Sequence, residues 1–560
     1  NKVDLKKNIN KIFVLAAASL LMLTSCIKDL DTLPLNETDA TSETAYANPE
    51  NYLNGLAYIY GYWALVSQNN PGSSDLDFND AGQSELIRMY MVLNELSTDS
   101  FKIIWGDNYI SPIQYHKWTS ADNEAIIAVY TRCMKGITLV NEYLIQTSDG
   151  RLEERGHSSS TDLVHQYRAE ARFNRALFYY LLLDLFGNPP FAMEGNIGGE
   201  LPEQIGRANL YAWIEEELLG LANGTEMPEK GDVPYPRATK GAVWAVLARM
   251  YLNAEVYTGT AQWQKAKDAA KNVIDMGYTL HDNYQELFMQ DNTTNGATNE
   301  FIYAISYDKD NTQSWGGTTH LVSATLSADA NTNIGKELGL STRINPESWN
   351  GYHVADDYVQ RFHLSGVEWG ATSGVGYNRA QSDKRAFFYN LGSVPEFDNT
   401  TTDTGWRCWK FTGLYSDGHA VSDSESNYKF SSIDFPVFRL AEMYLIYAEA
   451  DARLNGGYVS DLTAKGYIAQ LRSRAGVTAS TPTSIDLDWL LDERARELMW
   501  EGHRRTDLIR YGYFTAMTFP WTLKGGVANG KVSLPEYREI YPIILDDLNA
   551  NPKLVQNPGY

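Results

Sequence analysis

Residues 170–191 read EARFNRALFYYLLLDLFGNPPF, with apolar residues recurring at intervals of three and four. That period lines one face of a helix, so the sequence predicts a helix over 161–186. Large residues stand beside small ones on this face, which lets a second helix approach closely. They are Phe173, Ala176, Leu177 and Tyr180.

The same period recurs on both sides of this stretch and predicts more helices. They lie over 50–67, 122–147, 207–221, 239–257, 261–275, 434–455, 460–474 and 487–511. Spacing like that of the first helix of a tetratricopeptide unit appears twice more. The residues are Trp244, Leu247, Ala248 and Tyr251, followed by small or apolar Ala266, Ala270 and Val273, and then Tyr444, Tyr447 and Ala448. An ordinary helical hairpin would show a similar pattern, and both interpretations stay open.

The stretch 281–433 differs from these helical regions. It is rich in Asn, Thr, Ser and Gly, with Trp and Tyr scattered through it. It is too long for one bare loop, and its aromatic residues argue against disorder. We expect a folded insertion of loops, short helices and short strands.

The first 31 residues carry a secretion pattern that ends in LLMLTSCIKDLD (20–31). A lysine-rich start precedes an apolar run, Ile12–Leu23, which is too short to span a bilayer as a helix. The residues Leu-Thr-Ser-Cys resemble the lipobox of bacterial lipoproteins, which predicts cleavage before Cys26 and lipidation of its thiol. An ordinary cleavage site with a leftover thiol is the alternative. Residues 27–44 are polar and are predicted to form a tether.

The charge balance excludes one class of partner. Cleavage after residue 25 removes four Lys and one Asp, which takes the net charge from −23 to −26. Such an acidic surface argues against nucleic acid, whose phosphates need Lys and Arg patches. It equally disfavours electrostatic adhesion to anionic lipid. Cys133 and Cys408 could pair outside the cytoplasm, but two cysteines define no framework.

Four stretches together resemble the SusD/RagB family of outer-membrane nutrient-binding lipoproteins. They are 170–191, FPVFRLAEMYLIYAEA (435–450), ERARELMWEGHRRTDLIRYG (493–512) and YPIILDDLNANPKLVQNPGY (541–560). The resemblance implies a mainly α fold with four tetratricopeptide-like hairpins and an irregular glycan-facing side. It also implies a membrane anchor through Cys26 and a SusC-like TonB-dependent outer-membrane transporter as partner.

The resemblance divides the chain as follows. We expect a signal peptide at 1–25, a lipidated tether at 26–45, a helical part at 46–280, the insertion at 281–433 and a second helical part at 434–560. Within 493–512 and just before it, Asp492/Arg496 and Glu501/Arg505 have the spacing of ion pairs on a solvated helix.

No catalytic or metal motif is visible in the sequence. H-E-x-x-H, G-x-S-x-G and the phosphate-binding G-x-x-x-x-G-K-[ST] are absent, and the nine His are dispersed. A glycosidase needs only two carboxylates, so the residues alone leave hydrolysis open, while the family weighs against it. Asp75, Asp77 and Asn79 have the spacing of the first oxygen ligands of an EF-hand calcium loop. Asp80, however, stands where such a loop requires Gly, and Leu86 stands where it requires the bidentate Glu. We therefore predict no cofactor, with a calcium site from distant loops left open.

The segment 73–108 resembles the glycan-binding segment of the family's starch-binding founder. Matched position by position, the resemblance implies that Asp80, Arg88, Trp105 and Asn108 contact the glycan. Ile103 stands where the founder has a second tryptophan, which predicts a smaller flat surface.

Further aromatic residues in the insertion are candidates for the same site. Trp315 and Trp349 lie in Gly- and Asn-rich contexts typical of exposed loops, and Tyr307 is the last residue of the alternating run FIYAISY. A pyranose stacks its C–H face on such rings, while its hydroxyls suit Asn, Asp and Arg. Packing in the core is the alternative for each ring.

We therefore expect a surface lipoprotein that captures a glycan and passes it to the transporter without a covalent step. A starch-like α-glucan is the first choice of ligand, with a fructan, a xylan or a host glycan as alternatives. A tetratricopeptide scaffold that binds only proteins, and a glycosidase, are the competing functions.

Overall fold

The computed structural model describes residues 41–121, 123–197, 199–367, 377–390, 405–477, 481–527 and 530–560. Cys26, the predicted signal peptide and most of the predicted tether lie outside these residues. The proposed division of the chain into segments stays a prediction.

The described residues are mainly helical, as predicted. Their nineteen helices are α1 Ser42–Ala45, α2 Asn51–Tyr62, α3 Leu86–Glu95, α4 Ile110–Gln114, α5 Glu124–Gln146, α6 Asp149–Glu154, α7 Thr161–Leu185, α8 Arg207–Asn223, α9 Lys240–Leu252, α10 Ala254–Thr258, α11 Trp263–Ile274, α12 Gly317–Ser323, α13 Ala328–Glu337, α14 Asp356–Val359, α15 Leu440–Leu454, α16 Leu462–Arg474, α17 Leu487–Glu497, α18 Arg504–Arg510 and α19 Leu545–Ala550. Their eight short strands are β1 Phe101–Ile103, β2 Pro190–Phe191, β3 Glu203–Gln204, β4 Phe301–Ile305, β5 Tyr352–Val354, β6 Phe388–Asn390, β7 Trp406–Cys408 and β8 Phe435–Arg439.

The long helices pack in pairs through large residues set against small ones. Helix α5 packs on α7, α9 on α11, and α15 on α16. At Gly136 of α5, an added Cβ would lie 2.5 Å from the ring of Phe178 on α7. That ring in turn stacks on Trp63 at 4.1 Å between centroids. Ala266 and Ala270 of α11 are fully buried, so the predicted close approach of helices is confirmed.

All of the predicted helices are present, and two of the predicted stretches are divided. The stretch 239–257 forms α9 and α10, and 487–511 forms α17 and α18, where Trp500 and Gly502 between the two helices have positive φ of 61° and 79°. Helix α3 and several shorter helices were not predicted, and nine of the ten residues of α3 are buried.

The sheet that positions the candidate site joins the N-terminal part to the insertion. Its four antiparallel strands run in the order β1-β5-β7-β6. Phe101 faces Val354 and Ile103 faces Tyr352. The pairing continues past both strands, where the Ile104 N–H donates to the Gly351 carbonyl over 3.0 Å. This register brings the chain after β1 beside the chain before β5.

The charged residues of 493–512 are buried, which corrects the expected solvated helix. Glu497 accepts from Arg439 over 2.6 Å and from Arg385 over 3.1 Å, and it also pairs with Arg474. We define the charge network as nine residues whose side chains are at most 4% exposed. They are Glu300, Asp383, Arg385, Lys410, Arg439, Arg474, Glu493, Glu497 and Glu501.

The two predicted ion pairs are also wrong. Asp492 pairs with Arg361 over 2.6 Å, while Arg496 pairs with Glu493 over 2.8 Å. Glu501 pairs with members of the charge network, because the break before α18 separates it from Arg505.

The arginines of the charge network set the ionisation of its carboxylates. Burial alone would raise the pKa of Glu497, but Arg474, Arg439 and Arg385 outweigh it and hold the pKa well below its usual range. Burial lowers the pKa of Lys410 to about 8, although its ammonium lies 2.6 Å from Glu501. Glu493, Glu497 and Glu501, whose pKa values are all lowered by neighbouring arginines or Lys410, are therefore charged at neutral pH.

Cys133 and Cys408 are buried free thiols, so they form no disulfide with each other. Burial raises the pKa of both. Among the described residues, no helix is both long enough and apolar enough to cross a membrane.

Candidate functional site

The structure brings the predicted residues of 73–108 into contact with those of the insertion. The indole Nε1 of Trp105 donates to the Trp349 carbonyl over 3.1 Å. Arg88 Nη1 donates to the Trp315 carbonyl over 3.3 Å, and lies 3.6 Å from Asp80 Oδ2. Residues more than 200 positions apart thus form one candidate site.

Four half-buried rings form what we call the aromatic arc: Trp105, Trp349, Trp315 and Phe430. The centroids of Trp315 and Trp349 lie 6.1 Å apart with their planes tilted by 51°. Phe430 follows at 4.7 Å from Trp315, tilted by 48°. The arc therefore presents a curved row of partly exposed ring faces.

Glycine explains how Trp105 reaches Trp349. A Cβ added at Gly351 would lie 2.3 Å from the Trp105 ring, so the indole packs directly on bare backbone. The chain before β5 is fixed in turn, because the Trp349 N–H donates to Ser323 over 2.7 Å and the Gly351 N–H donates to Ala324 over 2.8 Å. Residue 351 therefore needs to be glycine for the arc to form.

His320 supports the arc from below. It is fully buried, and its ring lies 6.0 Å from Trp105 and 5.9 Å from Trp349. Nε2 lies 3.1 Å from the Tyr352 hydroxyl. Burial, and then Arg88, keeps the pKa of His320 well below its ordinary value, so the imidazole is neutral. A neutral ring adds no charge beneath the indoles.

Polar groups line the edge near Trp105. Asp80 accepts from the Gly82 N–H over 2.9 Å and keeps a side chain 47% exposed. Gln83 Nε2 donates to Asp107 Oδ1 over 2.7 Å, and Asn108 is exposed. Arg88 is buried, and its Nε has no hydrogen-bond partner among the described residues. The edge thus offers acceptors at Asp80 and Asp107, and an amide at Asn108.

Tyr307 differs from expectation. Strand β4 ends at Ile305 and pairs with β8, and Tyr307 beyond it is only 3% exposed. Its hydroxyl donates to the buried carboxylate of Glu85 over 2.8 Å. The ring is packed in the protein and presents no stacking face in this structure.

Ile103 also lies in the core, because β1 turns it inward against β5. Ile103 stands where the family's founder has a tryptophan, but this buried position is not part of the aromatic arc. Phe430 and His320 were missed by the sequence analysis. Phe430 lies in a loop far along the sequence from the other rings, and His320 ends the stretch QSWGGTTH (313–320) without any metal or catalytic spacing.

The arrangement suits stacking and hydrogen bonding of a polar ligand with flat apolar faces. Asp75, at the start of the calcium-like spacing, is held by Arg132 over 2.8 Å and by Lys135 over 2.6 Å. In the described part of the chain, no group of three His, Cys, Asp or Glu side chains is placed to hold a metal ion.

Two family models match this chain. The model of the SusD family matches residues 284–560, and one described as starch-binding associating with outer membrane matches residues 80–252. The chain is 33% identical to the starch-binding protein SusD of Bacteroides thetaiotaomicron, with 99% of each chain covered.

Solved structures show the same fold. Surface glycan-binding protein A from Bacteroides thetaiotaomicron, in complex with laminarihexaose, aligns with a TM-score of 0.64 at 16% identity. That alignment covers 91% of this chain and 99% of the other. A laminarin-binding SusD-like protein aligns with a TM-score of 0.66 at 21% identity, covering 92% and 100%.

Proposed function

The chain belongs to the SusD family, and we propose that it captures an oligosaccharide or polysaccharide at the cell surface for a SusC-like TonB-dependent outer-membrane transporter. Lipidation of Cys26 would hold the mature chain on the outer membrane. The matching family model, described as associating with the outer membrane, supports this location.

The observation that carries the proposal is the aromatic arc. Indoles are among the largest apolar side chains, and a protein rarely leaves three of them half-exposed in one row without a partner. Pyranose rings present C–H faces of matching size, and stacking on an indole is worth about 1–3 kcal/mol by analogy with nucleic-acid bases. We propose that Asp80 and Asn108, at the exposed edge of the arc, and Arg88 beside Asp80 hydrogen-bond hydroxyls of the same glycan.

The tilt of the arc favours a curved glycan chain. Planes inclined by 51° cannot both stack on one flat ribbon, whereas a helical chain turns its successive rings through such angles. A starch-like α-glucan is therefore the first choice, and the starch-binding relative supports it. A laminarin-like β-glucan is the second, since laminarin is named for one structural neighbour and laminarihexaose is bound in another.

Binding would be modest at each sugar and would involve no bond cleavage. Each hydrogen bond to the glycan replaces one to water, so its net contribution is about 0.5–1.5 kcal/mol. The acidic surface fits a neutral ligand, because no counter-charge is needed for approach.

Affinity electrophoresis of the chain from Ile27 onward tests the proposal across ligands. We would compare amylopectin, pullulan, laminarin, levan, xylan and a mucin glycan in parallel gels. Retardation in the α-glucan gels is expected. Retardation in another glycan alone would keep the capture role and replace the ligand, while no retardation in any gel would favour the protein-binding scaffold.

The same samples test the enzymatic alternative. After prolonged incubation with the glycan that binds, we expect no new reducing ends. Steady release of short products would contradict a pure binding role and point to a glycosidase.

A further inference from the structure

We infer that Glu85 is a positioning residue that locks the two halves of the aromatic arc together. This inference rests on the proposed function for its effect on glycan binding, but its structural part is independent of any ligand. Glu85 does not belong to the arc, and is fully buried at the start of α3.

The Glu85 carboxylate accepts hydrogen bonds from three separate parts of the chain. Oε2 accepts from the Arg88 N–H over 2.6 Å and from the Gly317 N–H over 2.8 Å. Oε1 accepts from the Tyr307 hydroxyl over 2.8 Å. One side chain thus joins the segment that carries Arg88 to the insertion that carries Trp315.

The two glycines after Trp315 lie directly against Glu85 and its partner Tyr307. A Cβ added at Gly316 would lie 2.3 Å from the Cβ of Glu85. Gly317 has a positive φ of 48°, and a Cβ there would lie 2.3 Å from the Tyr307 ring. The loop can therefore wrap around Glu85 only because both residues lack side chains.

The backbone of Trp315 is held on its other side by the 73–108 segment. Its carbonyl accepts from Arg88 Nη1, and a Cβ at Gly82 would lie 2.8 Å from that same oxygen. Glu85 fixes both the start of α3, which presents Arg88, and the N–H two residues after Trp315. It therefore sets where the Trp315 ring lies relative to the Trp105 end of the arc.

No cation lies within ion-pair distance of Glu85 among the described residues, so hydrogen bonds alone hold it. Burial raises its pKa, and these donors oppose the rise. An amide at this position would keep the shape but would point one N–H₂ group at a donor. At least one of the three bonds would be lost, and an unpaired buried donor would remain.

A loosened Trp315 should affect long ligands more than short ones. A disaccharide contacts only part of the arc, whereas a heptasaccharide spans it and needs all rings in fixed places. In Glu85→Gln we expect about tenfold weaker binding of the heptasaccharide and little change for the disaccharide. A general loss of stability would instead weaken the binding of both oligosaccharides equally, and that result would contradict the inference.

The test is titration calorimetry of Glu85→Gln and Tyr307→Phe with α-1,4-glucan oligomers of two and seven sugars. Tyr307→Phe removes only one donor and should fold if Glu85→Gln does not. Glu170→Gln is the control for loss of a buried carboxylate outside the arc: Glu170 accepts from the Tyr60 hydroxyl over 2.7 Å and also pairs with Arg237, so this exchange should lower stability at least as much without touching the arc. Wild-type affinity for the heptasaccharide in both Glu85→Gln and Tyr307→Phe would overturn the inference.

Hydrogen exchange of the peptide containing Gly316 and Gly317 gives a readout without any ligand. We expect faster exchange in Glu85→Gln than in the wild type or in Glu170→Gln. Unchanged exchange would overturn the inference, even if the wild type bound no α-glucan and the proposed ligand were wrong.

Discussion

The charge network and the aromatic arc are both assembled from distant segments of the chain, but they differ in residue type and in exposure. In the network, the Glu, Asp, Arg and Lys side chains are at most 4% exposed and pair with one another. In the arc, three indoles and one phenyl ring stay half-exposed, and the Trp105 indole N–H donates to backbone. The buried charges hold the fold, whereas the half-exposed rings leave apolar surface for a ligand.

The two regions also differ in how a mutation affects the stability of the protein. Removing one partner from a buried ion network leaves charges unpaired in a medium that solvates them poorly. Removing a ring from the arc exposes surface that is already partly exposed. We therefore expect mutations in the network to act on stability and mutations in the arc to act on binding.

Of all the changes considered, acid should have the largest effect on stability, because it protonates the buried carboxylates that pair with arginine. The pKa of Glu493 is lowered to about 2 by Arg385 and Arg496 against burial, and those of Glu449 and Asp99, also paired with arginine, are about 2 as well. Such carboxylates stabilise the fold above their ordinary pKa and lose that contribution as pH falls toward 2. We expect the denaturant midpoint of unfolding to be steady near pH 6 and to drop steeply below about pH 4.5. A midpoint unchanged down to pH 3 would contradict the buried pairing.

A single carboxylate-to-amide exchange in the network should come next in size. Glu497→Gln leaves Arg385, Arg439 and Arg474 without their shared anion, and should lower the free energy of unfolding by about 3–5 kcal/mol. The matched exchange Glu154→Gln breaks an exposed pair with Arg151 and should cost at most about 1 kcal/mol. Equal losses in the two variants, measured by urea unfolding, would remove the distinction.

The same exchange at the edge of the arc should have the smallest effect. Asp80 is 47% exposed, and its carboxylate lies 3.6 Å from Arg88, so Asp80→Asn should leave the unfolding midpoint unchanged. We expect glycan affinity to fall by less than about fivefold, because an ion pair of 3.6 Å with one partner 47% exposed and a single hydrogen bond to sugar are each weak. Calorimetry and urea unfolding on one preparation measure both quantities.

Much of the helical part was predictable because its information is local. The stripe in 161–186 reappears as α7, and the small residues at 266 and 270 are buried where helices meet. The division of 487–511 into two helices could not be predicted from the hydrophobic periodicity alone. Trp500 takes a positive φ there, and the charges beside it find partners more than 50 positions away.

The site was predictable in its members more than in its geometry. Trp105, Trp315 and Trp349 lie together in the structure, and their contact with a glycan stays a prediction, whereas Tyr307 is buried with its hydroxyl bonded to Glu85. Phe430 and His320 were missed, since neither a lone ring in a loop nor a lone histidine carries a local signal. Long-range packing decides such positions.

Calorimetric titration of amylopectin into the wild type and Trp105→Ala is the most direct test of whether the aromatic arc binds a glycan. Trp263→Ala serves as control, since this half-buried indole lies on α11 outside the arc. We predict measurable binding by the wild type and the control, and at least about fivefold weaker binding by Trp105→Ala with an unchanged unfolding midpoint. Equal binding by all three proteins would contradict the claim.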